Sequence, residues 1–279
     1  MQPILRPAAK RSATALIAFL TIGSTLAPAV TTVFHYRVND SDAAGLPTIP
    51  SVGGSPGIAQ GNFSGVLSPD VPTTGVPAGA GNRSIVGSND PASEGVNSPA
   101  NAELTNAAII AEGGFTYECW FKWFGGGTVN SIIDYAGTEK FRINTGAGGN
   151  LDMNFDSGSG AQVLVNAPTV GEWHYIAMVF EHDGEPESNG QISGTMTGYY
   201  DDNVATDTVA VTKDDFGDSL NRPIGVGRHP LGFGGDHFDG LVYEPRVTLG
   251  ALAPFDLLWV PELVEDPQLL APGSATESS

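Results

Sequence analysis

The chain has 279 residues, enough for one large β-sandwich or two small domains, and only 15% are charged against about 25% in an average soluble domain. Thirty-one acidic residues against 12 basic ones give a net charge of −19. Such a surface repels phosphate backbones and anionic lipid, which argues against nucleic acid and membrane-surface partners.

Residues 1–29 read as a signal peptide. Lys10 and Arg11 precede an apolar stretch from Ala13 to Leu26, and Ala27-Pro28-Ala29 supplies a small-residue cleavage site. The stretch is short for a bilayer span and mixed with Ser, Thr and Gly. The expectation is an exported protein, secreted or at the cell surface, with no membrane insertion after cleavage. Asn39, Asn62 and Asn82 head N-x-S sequons, relevant in a glycosylating host.

Residues 30–258 read as one domain whose N-terminal part, 30–110, is rich in loops. Val33 to Val38 is a short strand ending at the polar turn Asn39-Asp-Ser-Asp42, and residues 43–81 suggest long loops with a weak strand or two. Arg83 to Val86 is a strand. From Phe115 to Phe124, apolar residues alternate at Phe115, Tyr117, Cys119, Phe121 and Trp123, with Trp120 and Phe124 added. Cys119, the single cysteine, reads as a small buried apolar group. Short strands follow at Ser131–Tyr135, Phe141–Asn144, Leu151–Phe155 and Gln162–Val165. Trp173–Glu181 is a longer one, with Tyr175, Ala177 and Val179 on one face and Ile176, Met178 and Phe180 on the other. Asp183-Gly184 and Asn189-Gly190 bracket a hairpin loop, since these pairs tolerate positive φ. Gln191–Tyr200 and Val204–Val211 form a second hairpin across Asp201-Asp-Asn203, and Pro223–Gly227 and Phe238–Val247 complete the set. No stretch holds a helical apolar period for three turns. Many short strands without helical crossovers predict an all-β fold, a two-sheet antiparallel jelly-roll sandwich. Residues 259–279 read as a flexible tail.

The order of Phe115-Thr-Tyr-Glu-Cys-Trp-Phe, Ser131-Ile-Ile-Asp-Tyr-Ala-Gly, Trp173-His-Tyr-Ile-Ala-Met-Val, Gly198-Tyr-Tyr-Asp-Asp and Phe238-Asp-Gly-Leu-Val-Tyr-Glu-Pro-Arg-Val resembles laminin-G-like members of the concanavalin A-like lectin/glucanase superfamily. The resemblance covers roughly residues 110 to 255. It implies a sandwich with one aromatic-rich sheet and Trp173 opening a central strand. Where family members often carry an Asp-Glu pair in the closing strand, this chain has Tyr243-Glu244-Pro245. Pro245 removes a ladder donor, so that strand is expected to be an edge or bulged there.

Glucanases of the superfamily place two carboxylates on one strand so that alternate side chains face the cleft. No E-x-D-x-E pattern occurs in this chain. Asp201-Asp202 and Asp214-Asp215 are adjacent pairs whose side chains point to opposite faces. A non-catalytic module is therefore expected. The resemblance also implies a calcium ion held by loop oxygens. Candidates are Asn39, Asp40 and Asp42 together with Asp239, on the expectation that the first and last strands are neighbours, and a second group of Asp201, Asp202 and Asn203. Each group also reads as an Asx turn capping its own backbone. His229, Asp236, His237 and Asp239 cluster in a Gly-rich stretch, although their spacing matches no zinc pattern.

The expected function is recognition of an extracellular glycan or glycoprotein. Trp123, Phe124, Tyr199, Tyr200 and Phe233 are the candidate aromatics for stacking on sugar rings. Two other classes remain open: a structural or adhesive surface component without glycan binding, and a glycoside hydrolase using an unrecognised acid pair.

Overall fold

A computed structural model of the chain describes residues 30–42, 46–60, 66–76, 81–88, 95–99, 104–126, 129–135, 139–144, 149–154, 161–201, 205–214, 223–230 and 237–259. The leader and residues 260–279 lie outside them.

The N-terminal part supplies short strands: β1 (Thr31–His35), β2 (Val38–Asn39), β3 (Thr48–Ile49), β4 (Gly57–Gln60), β5 (Leu67–Ser68), β6 (Asn82–Gly87) and β7 (Gly95–Asn97). One helix, α1 (Asn106–Glu112), precedes β8 (Gly114–Trp123). Then come β9 (Val129–Tyr135), β10 (Glu139–Asn144), β11 (Asn150–Asn154), β12 (Ala161–Val165), β13 (Trp173–His182), β14 (Gln191–Tyr200), β15 (Ala205–Asp214), β16 (Ile224–Val226) and β17 (Gly240–Leu249).

These strands form two antiparallel sheets. One runs β15-β14-β13-β8-β17-β6-β2, with β1 also pairing β17 and β5 pairing β6. The other runs β12-β11-β10-β9-β16-β7-β4-β3. Period-two alternation assigns each face of the first sheet. Phe115, Tyr117, Cys119 and Phe121 of β8 join Ile176, Met178 and Phe180 of β13 in the core between the sheets, with Ile132, Ile133, Leu151 and Met153 from the second sheet. Cys119 is fully buried there, and burial pushes its thiol well up, so it stays protonated packing material. Tyr175, Ala177 and Val179 turn outward into a second, smaller cluster with Trp120, Tyr199 and Tyr243. The face division read from the sequence of β13 is therefore the observed one.

Three details bear on the expectations, and the first meets one of them. The closing strand β17 is bulged at Glu244-Pro245, where the register with β8 shifts between Tyr243 and Arg246. It is nonetheless central, because β8 flanks one side while β6 and β1 share the other. The bulge answers the missing donor: Pro245 offers only its carbonyl, which accepts from Tyr36 N at 3.0 Å. Second, α1 spans only seven residues, capped by the Thr105 hydroxyl on Ala108 N and stopped by Gly113 at φ 74°. It is too short for an apolar period to reveal. Third, the N-terminal loops contain three short strands between residues 43 and 81, where one or two were expected.

Candidate functional site

The outward face of the nine-stranded sheet is covered by two segments, and the gap between them is the candidate site. The polar residues of β8 on this face anchor both covers. The Thr116 hydroxyl donates to Gly250 O at 2.9 Å and accepts from Leu252 N at 3.1 Å. Glu118, fully buried, accepts from Leu258 N at 2.6 Å, from the Tyr175 hydroxyl at 2.6 Å, and from the guanidinium of Arg246. Arg246 also donates to Asp256 O at 2.7 Å. These bonds lay residues 250–259 across the sheet. On the other side, Asp70 accepts from Lys122 Nζ at 2.7 Å and from Trp173 Nε1 at 3.0 Å. Burial alone would raise the Asp70 carboxyl, but these two bonds outweigh it and hold it below its ordinary value. Burial and the neighbouring Glu118 push the Tyr175 phenol well up, so it serves as a permanent donor.

Between the covers lies a cleft of about 350 Å³. Trp120 and Tyr175 form its floor, packed together with ring centroids 5.0 Å apart. Trp173 and Trp259 are half-buried walls, and Trp259 meets Tyr175 edge-on at 5.6 Å. Pro72, Thr73 and Thr74 make one rim, with Glu172 and Asp201 on the other. Trp259 approaches the backbone closely: a Cβ on Gly75, which has φ +72°, would come within 2.7 Å of the indole Nε1. A second depression of about 260 Å³ lies farther along the same face, bordered by Val179, Glu181, Thr197, Tyr199 and Leu252.

None of the described aromatics singled out by sequence lines the cleft. Trp123 is only 7% exposed and belongs to the core between the sheets, because it shares the parity of Phe121 and not of Trp120. Tyr200 also turns toward the core and stacks on His174 at 5.1 Å. Tyr199 is buried in the outer-face cluster beside the second depression. Phe124 is exposed on the turn after β8, next to the cleft rim through the bond from Gly171 N to Trp123 O. Phe233 lies outside the described residues. Trp120, Trp173 and Tyr175, read from the sequence only as strand residues, form the cleft instead. Trp259, read as the first tail residue, is its fourth ring. The signal for Trp259 was present in its isolation: a Trp following Leu257-Leu258 is costly to leave in water.

The calcium candidates are placed apart. The first and last strands do pair, β1 with β17. Asp40 and Asp42, however, follow β2 beside the Asn82 end of β6, whereas Asp239 precedes Gly240, which pairs Gly87 at the other end. The length of β6, about 16 Å at the ordinary strand rise, separates them. Asp40 pairs with Arg83 at 2.6 Å, and Asp42 accepts from Asn39 N at 2.8 Å, across the Asx turn in which Asn39 Oδ1 accepts from Ser41 N at 2.9 Å. Asp201, directly after β14, ties back to β13: its oxygens face His174 Nδ1 at 2.8 Å and Tyr175 N at 2.9 Å. Asp202 and Asn203 lie outside the described residues. Among the described residues no group of three His, Cys, Asp or Glu gathers as a metal site requires. Asp40 and Asp42 are taken up by protein donors and Asp239 stands apart from them, so this first group does not gather around one ion. His229 and His237 are buried and engaged by the protein, while Asp236 lies outside the described residues.

The fold with one aromatic-rich sheet face covered by loops agrees with what sequence comparison finds. A laminin G family profile described as the Concanavalin A-like lectin/glucanases superfamily matches residues 95–256, more than half of the chain. The chain belongs to this superfamily. No curated protein matches it in sequence. Among solved structures, the binding domain of botulinum neurotoxin DC in complex with rat synaptotagmin II is similar at 12% identity and a TM-score of 0.47, over 81% of this chain and 50% of that one. Trypanosoma rangeli sialidase in complex with sialic acid is similar at 10% identity and 0.45, over 82% and 32%. A botulinum neurotoxin type C structure, concerned with cell entry through two ganglioside molecules, is similar at 11% and 0.43, over 81% and 49%. The chain thus spans at most about half the length of these proteins. Similarity this distant fixes neither ligand nor activity.

Proposed function

We propose that this member of the superfamily is a secreted, non-catalytic carbohydrate-binding module whose glycan seats in the cleft between the two covering segments. The observation that carries the reading is the ring-walled cleft itself. Pyranose rings present apolar C–H patches that stack on indole faces, while their hydroxyls need polar partners at the edge. Trp173 and Trp259 supply the faces, and the hydroxyls of Thr73 and Thr74 with the carboxylates of Glu172 and Asp201 supply the edge. The rings are held before any ligand arrives, through the Asp70 bond to Trp173 and the Glu118 bond to Leu258 N, so little ordering cost remains for binding. The basic, apolar leader at residues 1–29 supports export. Calcium has no part in this reading.

A glycan-array screen of the full chain, with and without calcium, tests it. Binding to at least one glycan class is expected, independent of calcium, and Trp173→Ala should weaken it at least tenfold, about 1.4 kcal/mol. Absence of binding under both conditions, joined to concentration-dependent self-assembly, would sink the reading in favour of a structural component.

A second reading, glycoside hydrolysis, draws on the shared place of Glu172 and Asp201 at the rim. Against it, Asp201 is taken up by His174 and Tyr175 N, and the fully buried Glu118 by three protein donors. Reducing-sugar release from a β-glucan, abolished by Glu172→Gln, would establish it.

A further inference from the structure

The charge balance around the cleft narrows the ligand class, taking the cleft as the glycan site. Two basic side chains face the outer side of this sheet from β8 and β17, Lys122 and Arg246. Each is claimed by a carboxylate of its own, Lys122 by Asp70 at 2.7 Å and Arg246 by Glu118. The remaining charged groups at the cleft are Glu172, which is exposed, and Asp201, whose nearest basic neighbour is His174 beneath it. Beside these carboxylates stand the walls Trp173 and Trp259 and the floor rings Trp120 and Tyr175. Indole and phenol rings carry negative faces that attract a cation within about 6 Å of the ring centre. Rings and carboxylates therefore create the same sign of field in one concave, partly dehydrated space, where such interactions gain strength.

We infer that the cleft selects a glycan bearing a free, protonated amine, an amino sugar that is not N-acetylated, and discriminates against uronates and other anionic sugars. Acetylation removes the charge and leaves Glu172 facing a neutral amide. A uronate places a carboxylate against Glu172 and Asp201. Ring stacking and the Thr73 and Thr74 hydroxyls favour a sugar over a bare ammonium group, because a bare cation leaves those hydroxyls without partners.

The test is calorimetric titration of the full chain with three probes at mildly acidic pH and low salt: a β-1,4-linked glucosamine tetramer, its fully N-acetylated counterpart, and a galacturonate tetramer. The glucosamine tetramer should bind roughly tenfold more tightly than the acetylated one, summing a cation–π contact and an exposed ion pair. The uronate should be weakest. Glu172→Gln, a change at an exposed rim position, should lower affinity for the glucosamine tetramer about threefold more than for the acetylated tetramer, because only the first loses an ion pair, and an equal loss for both would overturn the charge selection. Equal affinity for both neutral and amine tetramers, lost together in Trp173→Ala, would overturn the charge selection while leaving the glycan site standing. Failure of the glucosamine tetramer to bind overturns this inference outright. Inhibition by lysine amide as strong as by glucosamine would overturn the sugar and leave a site for cations alone.

Discussion

Glu118→Ala is expected to destabilise the domain and release the C-terminal cover from the sheet. In the native state the carboxylate has no solvent contact and receives hydrogen bonds from the Tyr175 hydroxyl, Leu258 N and the Arg246 guanidinium. Removing it strands the charge of Arg246 and leaves a hydroxyl and a backbone N–H without their acceptor. Breaking a buried ion pair from one side costs about 3–5 kcal/mol, which for a domain of this size lowers Tm by roughly 6–20 °C. Thermal unfolding followed by far-UV circular dichroism measures the drop. Hydrogen exchange over residues 250–258 should rise in parallel, because two of the bonds that hold the segment depend on Glu118 or on its partner Arg246. The double variant with Arg246→Ala separates the pair from simple truncation. Its loss should be smaller than the sum of the two single losses by about 1–3 kcal/mol, since no lone charge then remains. A Tm change within about 2 °C for Glu118→Ala, or strict additivity in the double variant, would refute this account of the outer face.

Gly240→Ala should cost about 1–3 kcal/mol in a urea titration, because a methyl there meets the Lys122 carbonyl and lies 2.7 Å from the Phe238 ring; an unchanged midpoint would contradict that packing. Glu244 is buried, which alone would raise its carboxyl, yet its bonds to His35 and Arg37 prevail and hold it below the ordinary value of 4.5. An acid held low in the folded state stabilises above its unfolded pKa and loses that contribution as pH falls through the folded one, so stability should decline below pH 4.5. The decline should be shallower in Glu244→Gln, read as urea midpoints against pH. Asp239 has the opposite sign, its carboxyl raised by burial. Its contribution is fullest at low pH and is lost as pH rises, so Asp239→Asn should raise Tm at neutral pH, and a fall would show an unrecognised partner for the carboxylate.

The two-sheet sandwich and the division of its main sheet were legible in the residue pattern. Alternation along β8 and β13 carries this information locally: with a side-chain period of two, one strand states which residues share a face. The hairpins of β13 with β14 and β14 with β15 were equally legible, because Asp183-Gly184, Asn189-Gly190 and Asp201 sit where the chain must reverse. The bulge at Pro245 was foreseeable from a missing donor. Its central place was not, since the order of strands in a sheet depends on pairings more than a hundred residues apart.

The site was decided by tertiary structure alone. Trp120 and Trp123 both lie on β8, differ by three positions and look alike in a sequence, yet parity sends one to the cleft floor and the other to the core. Trp173 and Tyr175 read as core residues because the covering segments bury much of their surface; only the gap between those segments shows which edge stays open. Trp259 becomes a wall because Leu258 N finds Glu118 some 140 residues earlier, a contact that no local pattern encodes. The first calcium group, Asp40 and Asp42 with Asp239, comes apart for the same reason: β1 and β17 are neighbours as expected, but the turn after β2 and the start of β17 lie at opposite ends of β6. Faces follow from period and are local. Clefts follow from how distant segments share a face, and that is settled only when the chain has folded.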